Sequence, residues 1–200
     1  MSAKKKVVEM YWDVGSTNTY FALKLIKPVL ERTGAELVLH PFNLGHVFQS
    51  QNYVLMEEPK AKLRNRKRDL MRWAEKYKLP FQMPRKFPIK TSRALRGALA
   101  MRRWNLEMAY LDEVFSAYWE RGDASIAEYE GLRRIAEKLG VNPDEFEAAS
   151  ESGEVRQQLI DSTNRGLERG VFGVPSIFVG DELFWGKDRM EFVEDELNRQ

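Results

Sequence analysis

The chain has no cysteine. Disulfides, zinc–thiolate sites and thiol redox chemistry carried by the protein itself are therefore excluded. Any sulfur chemistry has to come with a ligand. Charge of one sign is also scarce in net terms, with 32 basic against 30 acidic side chains and a formal charge of +2. A dedicated nucleic-acid binder usually concentrates a basic surplus, so none is expected. No apolar run reaches 18 residues, which argues against a membrane helix. Met1–Lys6 is charged, but Val7–Trp12 is too short for a signal core, so a soluble cytoplasmic protein is expected. The two histidines, His40 and His46, lack metal-ligand spacing to each other or to a carboxylate cluster, so core or rim roles are expected.

What is present builds a core: 43% of the residues are apolar and 12% aromatic. Val7–Trp12 is β-branched and aromatic, and reads as a buried first strand. Asp13–Thr19 is dense in turn and cap formers. An amphipathic helix follows over about Thr17–Arg32, with Pro28 expected to kink it and Gly34 to end it. Ala35–Phe42 reads as a second strand, and strand–helix–strand of this length implies a parallel right-handed unit.

From Gly45 to about Arg169 the apolar residues recur at helical spacing. Helices are expected at Pro59–Lys78, Thr91–Asn105, Glu107–Arg121, Ser125–Leu139, Pro143–Ser150 and Gly153–Arg169. Leu79–Pro88 holds three prolines and two phenylalanines and reads as an ordered loop. Ser176–Val179 and Glu182–Trp185, joined by Gly180-Asp181, read as a hairpin, with a last helix from Asp188. Val174-Pro175 falls just before the third strand, where proline is tolerated because it needs no ladder donor. The order describes an α/β protein: a thioredoxin-like domain (residues 1–45 and 166–200) with a large all-helical insertion (46–165) of about 120 residues.

In such a sheet, ligands bind beyond the strand ends, at helix N-termini. Ser16 stands where a thioredoxin-like protein carries its reactive residue, though it also suits a simple cap. No Gly-x-Ser-x-Gly elbow accompanies it, which argues against a hydrolase nucleophile. The basic run Lys60–Arg72 spreads around a helix and reads as a solvated face, unless one member meets a ligand carboxylate. Trp73, Trp104 and Trp119 read as packing residues. Asp188 suits either a cap of the last helix or a receiver for a ligand ammonium.

Three stretches, Tyr11-Trp12-Asp13-Val14-Gly15-Ser16, Gly170-Val171-Phe172-Gly173-Val174-Pro175 and Phe184-Trp185-Gly186-Lys187-Asp188-Arg189, together resemble the 2-hydroxychromene-2-carboxylate isomerase family. That family is similar to kappa-class glutathione transferases and, more remotely, to DsbA. The resemblance implies glutathione as cofactor, with Ser16 holding its sulfur as thiolate and the backbone of Val174, before a cis Pro175, pairing with its cysteinyl part. It implies further that Trp185, Gly186, Lys187 and Asp188 hold the γ-glutamyl end, that Asn52 and Lys62 lie near the glycyl end, and that Phe48 and Phe87 wall the acceptor pocket. The implied activity is cis–trans isomerisation of an unsaturated aromatic 2-oxo or 2-hydroxy acid by a homodimer in aromatic degradation. A kappa-like transferase conjugating electrophiles and a non-enzymatic peptide-binding module are the alternatives. Two positions depart from many relatives: Thr17 replaces a proline, and Lys187 replaces a serine of kappa-class proteins.

Overall fold

A computed structural model describes residues 5–54 and 57–199. The chain forms two compact units, one reaching up to Phe42 and resuming at Gln158, the other spanning Asn43–Gln157. The second crossing falls inside a continuous helix, where no breaker residue marks it in the sequence.

The first unit is built on β1 (Val7–Trp12), α1 (Thr17–Thr33), β2 (Glu36–Pro41), β3 (Ser176–Val179), β4 (Glu182–Trp185) and α9 (Met190–Arg199). The sheet order is β2-β1-β3-β4, with β1 parallel to β2, antiparallel to β3, and β3 antiparallel to β4. β1 is central and covered on both sides, which is why it reads as a nearly unbroken apolar run. Val8, Met10 and Trp12 are buried on one side and Tyr11 on the other. α8 (Gly153–Glu168) closes the Tyr11 side, where Gly166 lies against the rings of Phe42 and Tyr11. A Cβ there would come within 2.9 Å of Phe42, so only glycine permits this approach. α1 and α9 pack together, joined at their surface by Arg32 and Glu194 at 2.6 Å. α1 runs unbroken through Pro28 and ends on Gly34 in the left-handed conformation, whose N–H closes on Leu30.

The second unit holds α2 (Leu44–Ser50), α3 (Lys60–Tyr77), α4 (Ser92–Met101), α5 (Glu107–Trp119), α6 (Tyr129–Lys138), α7 (Pro143–Glu151) and the first residues of α8. Its helices depart from expectation in three places. α2 was not expected; Asn43 caps it by accepting from the His46 N–H. The helix expected over Thr91–Asn105 tightens into a 3-10 turn at Arg102–Trp104 and stops on Asn105 at φ +56°. The helix expected over Ser125–Leu139 is two pieces, a 3-10 turn Ala124–Ala127 and α6, because Glu128 between them is extended. α7 is capped by Asn142, which accepts from Asp144 and Glu145 N–H, with Pro143 in the first turn.

Candidate active site

The first unit's site is assembled at one edge of the sheet by strand register. Tyr11 pairs with Ser176, and Ser176 with Trp185. That places the loop after β1, the loop before β3 and the turn after β4 side by side.

The loops are fixed by bonds within and between them, each of which has a backbone group as donor or acceptor. The buried Asp13 carboxylate accepts from Gly15 N–H at 2.9 Å, and Asp13 C=O accepts from Ser16 N–H at 3.1 Å. Ser16 thereby arrives as the N-cap of α1 with an extended backbone, and its Oγ accepts from Thr19 N–H at 3.2 Å. Across the edge, the Val174–Pro175 bond is cis, and Val174 C=O accepts from Ser16 Oγ at 2.9 Å. Ser176 Oγ donates to Gly173 C=O at 2.7 Å. Gly186 N–H donates to Pro175 C=O at 3.0 Å, tying the third loop to the second. Gly186 has φ +106°, a conformation that favours glycine in this turn.

The capping role of Ser16 and its place opposite Val174 are thus both real, and one hydroxyl serves them together. Among the described residues Val174 N–H donates to no group, while its C=O is taken by Ser16. Trp185 is 47% exposed and its ring lies 5.3 Å from that of Phe172, which is 57% exposed. Sequence reading gave Phe172 no role; nothing in Gly-Val-Phe-Gly-Val separates an outward ring from an inward one. Gly173 passes under the Trp185 indole, where a Cβ would meet Nε1 at 3.0 Å. Lys187 is partly buried. Asp188 is exposed and pairs with Arg189 at 2.7 Å, just ahead of α9.

The other four sequence-derived residues lie in the second unit. Asn52 is exposed in the left-handed conformation at φ +53°, with its N–H bonded to Gln49 C=O. Lys62 extends from α3 and pairs with Glu58 at 3.1 Å; Glu58 also takes Arg66. These cations hold the Glu58 carboxyl below its usual range, the Lys62 hydrogen bond contributing most. Phe48 is partly buried against Tyr53, ring centroids 4.6 Å apart. Phe87 leans on Trp119 at 5.9 Å. Trp73 stacks on Tyr77 at 5.6 Å rather than entering a core.

Neither histidine is arranged for metal, and the described residues hold no group of three or more His, Asp or Glu that could bind one. His40 Nε2 contacts Glu9 Oε2 at 2.7 Å and its ring stacks on Tyr11; His46 is exposed on α2. The first unit's edge carries the N-terminus of a 17-residue helix, which favours an anion, with the Ser16 hydroxyl at its start and Val174 hydrogen-bonded to that hydroxyl.

Comparison with known proteins agrees with this fold. The DSBA-like thioredoxin domain matches residues 7–198. A 2-hydroxychromene-2-carboxylate isomerase of Pseudomonas putida is 31% identical, covering 96% of this chain and 95% of that protein. Glutathione S-transferase kappa 1 of Caenorhabditis elegans is 25% identical, covering 96% and 91%. A solved selenomethionine 2-hydroxychromene-2-carboxylate isomerase superposes with a TM-score of 0.83 at 30% identity, covering 96% and 95%.

Proposed function

The chain belongs to the 2-hydroxychromene-2-carboxylate isomerase family within the DSBA-like thioredoxin domain and is an isomerase; from that premise we propose that it works with glutathione, on an unsaturated aromatic 2-oxo or 2-hydroxy acid such as a chromene carboxylate. The observation that carries the reading is Ser16 Oγ at the N-terminus of α1, 2.9 Å from Val174 C=O, in a chain without cysteine. It is a thioredoxin-type thiol site whose sulfur has to be brought in. The kappa-class relative supports glutathione as the carrier.

Bound glutathione supplies a thiolate that adds reversibly to the conjugated acid, removing the double bond while rotation occurs. Ser16 donates to the anionic sulfur, and the positive end of α1 favours its charge. The backbone of Val174 pairs with the cysteinyl part of glutathione, as a strand pairs with an extended peptide. Trp185–Asp188 receive the γ-glutamyl end, Asn52 and Lys62 the glycyl end, and Phe48 and Phe87 the aromatic substrate. Only the ionised sulfur attacks, so holding it as thiolate is the protein's main chemical contribution.

Calorimetry with glutathione at neutral pH, followed by an assay on a chromene carboxylate, tests the proposal. Saturable heat and isomerisation with no net loss of glutathione are expected. Absence of binding heat overturns it, and stoichiometric consumption of glutathione assigns the chain to the transferase alternative. No described helix is long and apolar enough to cross a membrane. A cytoplasmic homodimer remains part of the proposal, checked by sedimentation of the purified chain.

A further inference from the structure

A serine hydroxyl has one proton to donate and two lone pairs to accept with. In this chain both neighbours of Ser16 Oγ have fixed roles. Thr19 N–H can only donate, and it occupies one lone pair at 3.2 Å. Val174 C=O can only accept, so at 2.9 Å the Ser16 proton points at it. What Ser16 presents to a newcomer is therefore one lone pair. Toward a thiol that is an acceptor for S–H, which favours the neutral form; toward a thiolate it is repulsive. The hydroxyl proposed to hold an anion is turned the wrong way to do so.

The same carbonyl is half of the backbone pair that Val174 offers. Its N–H donates to no group among the described residues, so an extended peptide docking there finds a free donor and an acceptor already engaged by Ser16 on one of its two lone pairs, for which it has to compete. We propose that Val174 C=O is a positioning group that locks the Ser16 proton, and that the cysteinyl amide N–H of glutathione releases the lock by taking this carbonyl. The freed hydroxyl rotates onto the ligand sulfur, the thiol proton leaves to solvent, and the thiolate gains a donor. Thr19 N–H stays in place throughout and keeps the oxygen at the helix start. This rests on the glutathione reading above and adds to it: a thiol is activated only when it brings a backbone N–H to the right place. The edge then discriminates glutathione-like peptides from small thiols by ionising the former alone.

The test compares glutathione with an analogue whose cysteinyl amide N–H is replaced by an ester oxygen. Each is held at saturation, fixed by calorimetry, while thiolate absorbance in the ultraviolet is titrated with pH. The charged side chains of this edge, Asp13, Lys187, Asp188 and Arg189, are common to both complexes, so their fields cancel in the comparison. The bound glutathione thiol should ionise about one pH unit or more below that of the bound analogue, a tenfold difference in thiolate at fixed pH. In Ser16→Ala the gap should close. Equal ionisation in the wild-type chain overturns the lock, because the carbonyl then accepts both bonds at once. A gap that survives in Ser16→Ala overturns it too, because the ester acts without Ser16. Where the analogue binds too weakly to saturate, 2-mercaptoethanol replaces it in the isomerisation assay. Ser16→Ala should then slow the glutathione reaction by a clearly larger factor than the mercaptoethanol reaction, and equal losses refute the proposal. Failure of glutathione itself to bind fells the underlying reading instead, a result distinct from all of these.

Discussion

The two units place their aromatic and reactive groups by opposite means. In the first, backbone does the placing. Ladder register sets Tyr11, Ser176 and Trp185 in a row, and the loops beyond them are pinned by bonds from Gly186 N–H, Ser16 N–H and Gly15 N–H. In the second, side chains do most of it, with a backbone bond beside them. Gly97 of α4 admits Tyr110 and Phe146 so closely that a Cβ would collide with the Tyr110 hydroxyl. The proline-rich loop Leu79–Pro88 is held by Phe81 and Phe87 against Trp119, by Gln82 N–H on Trp119 C=O at 2.7 Å and by the Tyr118 hydroxyl on Lys86 C=O at 2.9 Å. The difference implies a division of sensitivity. Truncating a side chain should cost the first unit chemistry and the second unit stability.

The hardest blow to that comparison is Trp119→Ala. Trp119 is fully buried, with Tyr118, Phe81 and Phe87 around it. Losing a core indole costs about 3–5 kcal/mol, which for a chain of this size is roughly 10 °C of melting temperature or more. Thermal unfolding measures it, and protease should then cut within Leu79–Pro88 first. A loss below about 1 kcal/mol would mean that the loop is placed by its backbone bonds, as in the other unit, and the contrast would fail.

Ser16→Ala comes next and should behave the other way. Turnover with glutathione should fall about a hundredfold, the scale of one oriented donor to a held anion. Stability should drop by only about 1 kcal/mol, from the lost cap. Ser16→Gly separates the two effects, because glycine is nearly as good a cap yet has no hydroxyl. It should lose the same activity at smaller cost in melting temperature. Activity retained in both variants removes Ser16 from the chemistry.

The same division decides what the sequence could reveal. β1 is legible to the residue because a central strand buried on both sides leaves an apolar signature interrupted by Glu9 alone. Gly34, Gly180 and Asn142-Pro143 are legible because their conformations demand those residue types. α2 is not, since seven residues containing Gly45 are too few for a helical period to declare itself. Glu128 is not, because its extended backbone interrupts an apolar pattern that runs on unbroken. At the site, Ser16 and Val174-Pro175 stand out singly as a cap position and a proline at a strand entrance. Their bond is hidden, because 158 residues separate them and only antiparallel pairing of β3 on β1 brings them together. Lys62 shows the converse: Glu58, four residues earlier and just ahead of α3, is its partner, a pairing that spacing alone could have suggested.

The smallest effect probes whether side-chain electrostatics matter at all in the backbone-built unit. Glu9 of β1 is partly buried and bonded to Arg169 at 3.1 Å and to His40 at 2.7 Å, while the Arg169 guanidinium lies over the Phe178 ring at 3.9 Å. Burial pushes the Glu9 carboxyl upward, but the Arg169 and His40 hydrogen bonds outweigh it and its pKa ends below the usual value. A depressed folded pKa means that the native state binds fewer protons than the unfolded chain. The stabilisation is therefore complete above the ordinary glutamate range and is lost as pH falls through the folded value. Glu9→Gln, which keeps the shape, should cost about 1 kcal/mol near neutrality, roughly 2–4 °C. The gap to wild type should narrow through the acid range. In the second unit, removing the exposed pair of Arg134 with Glu130 by Glu130→Gln should change melting by less at every pH, since solvent screens it. A Glu9 gap constant from neutral to acid would show that the carboxylate's charge contributes nothing and that only its shape is used.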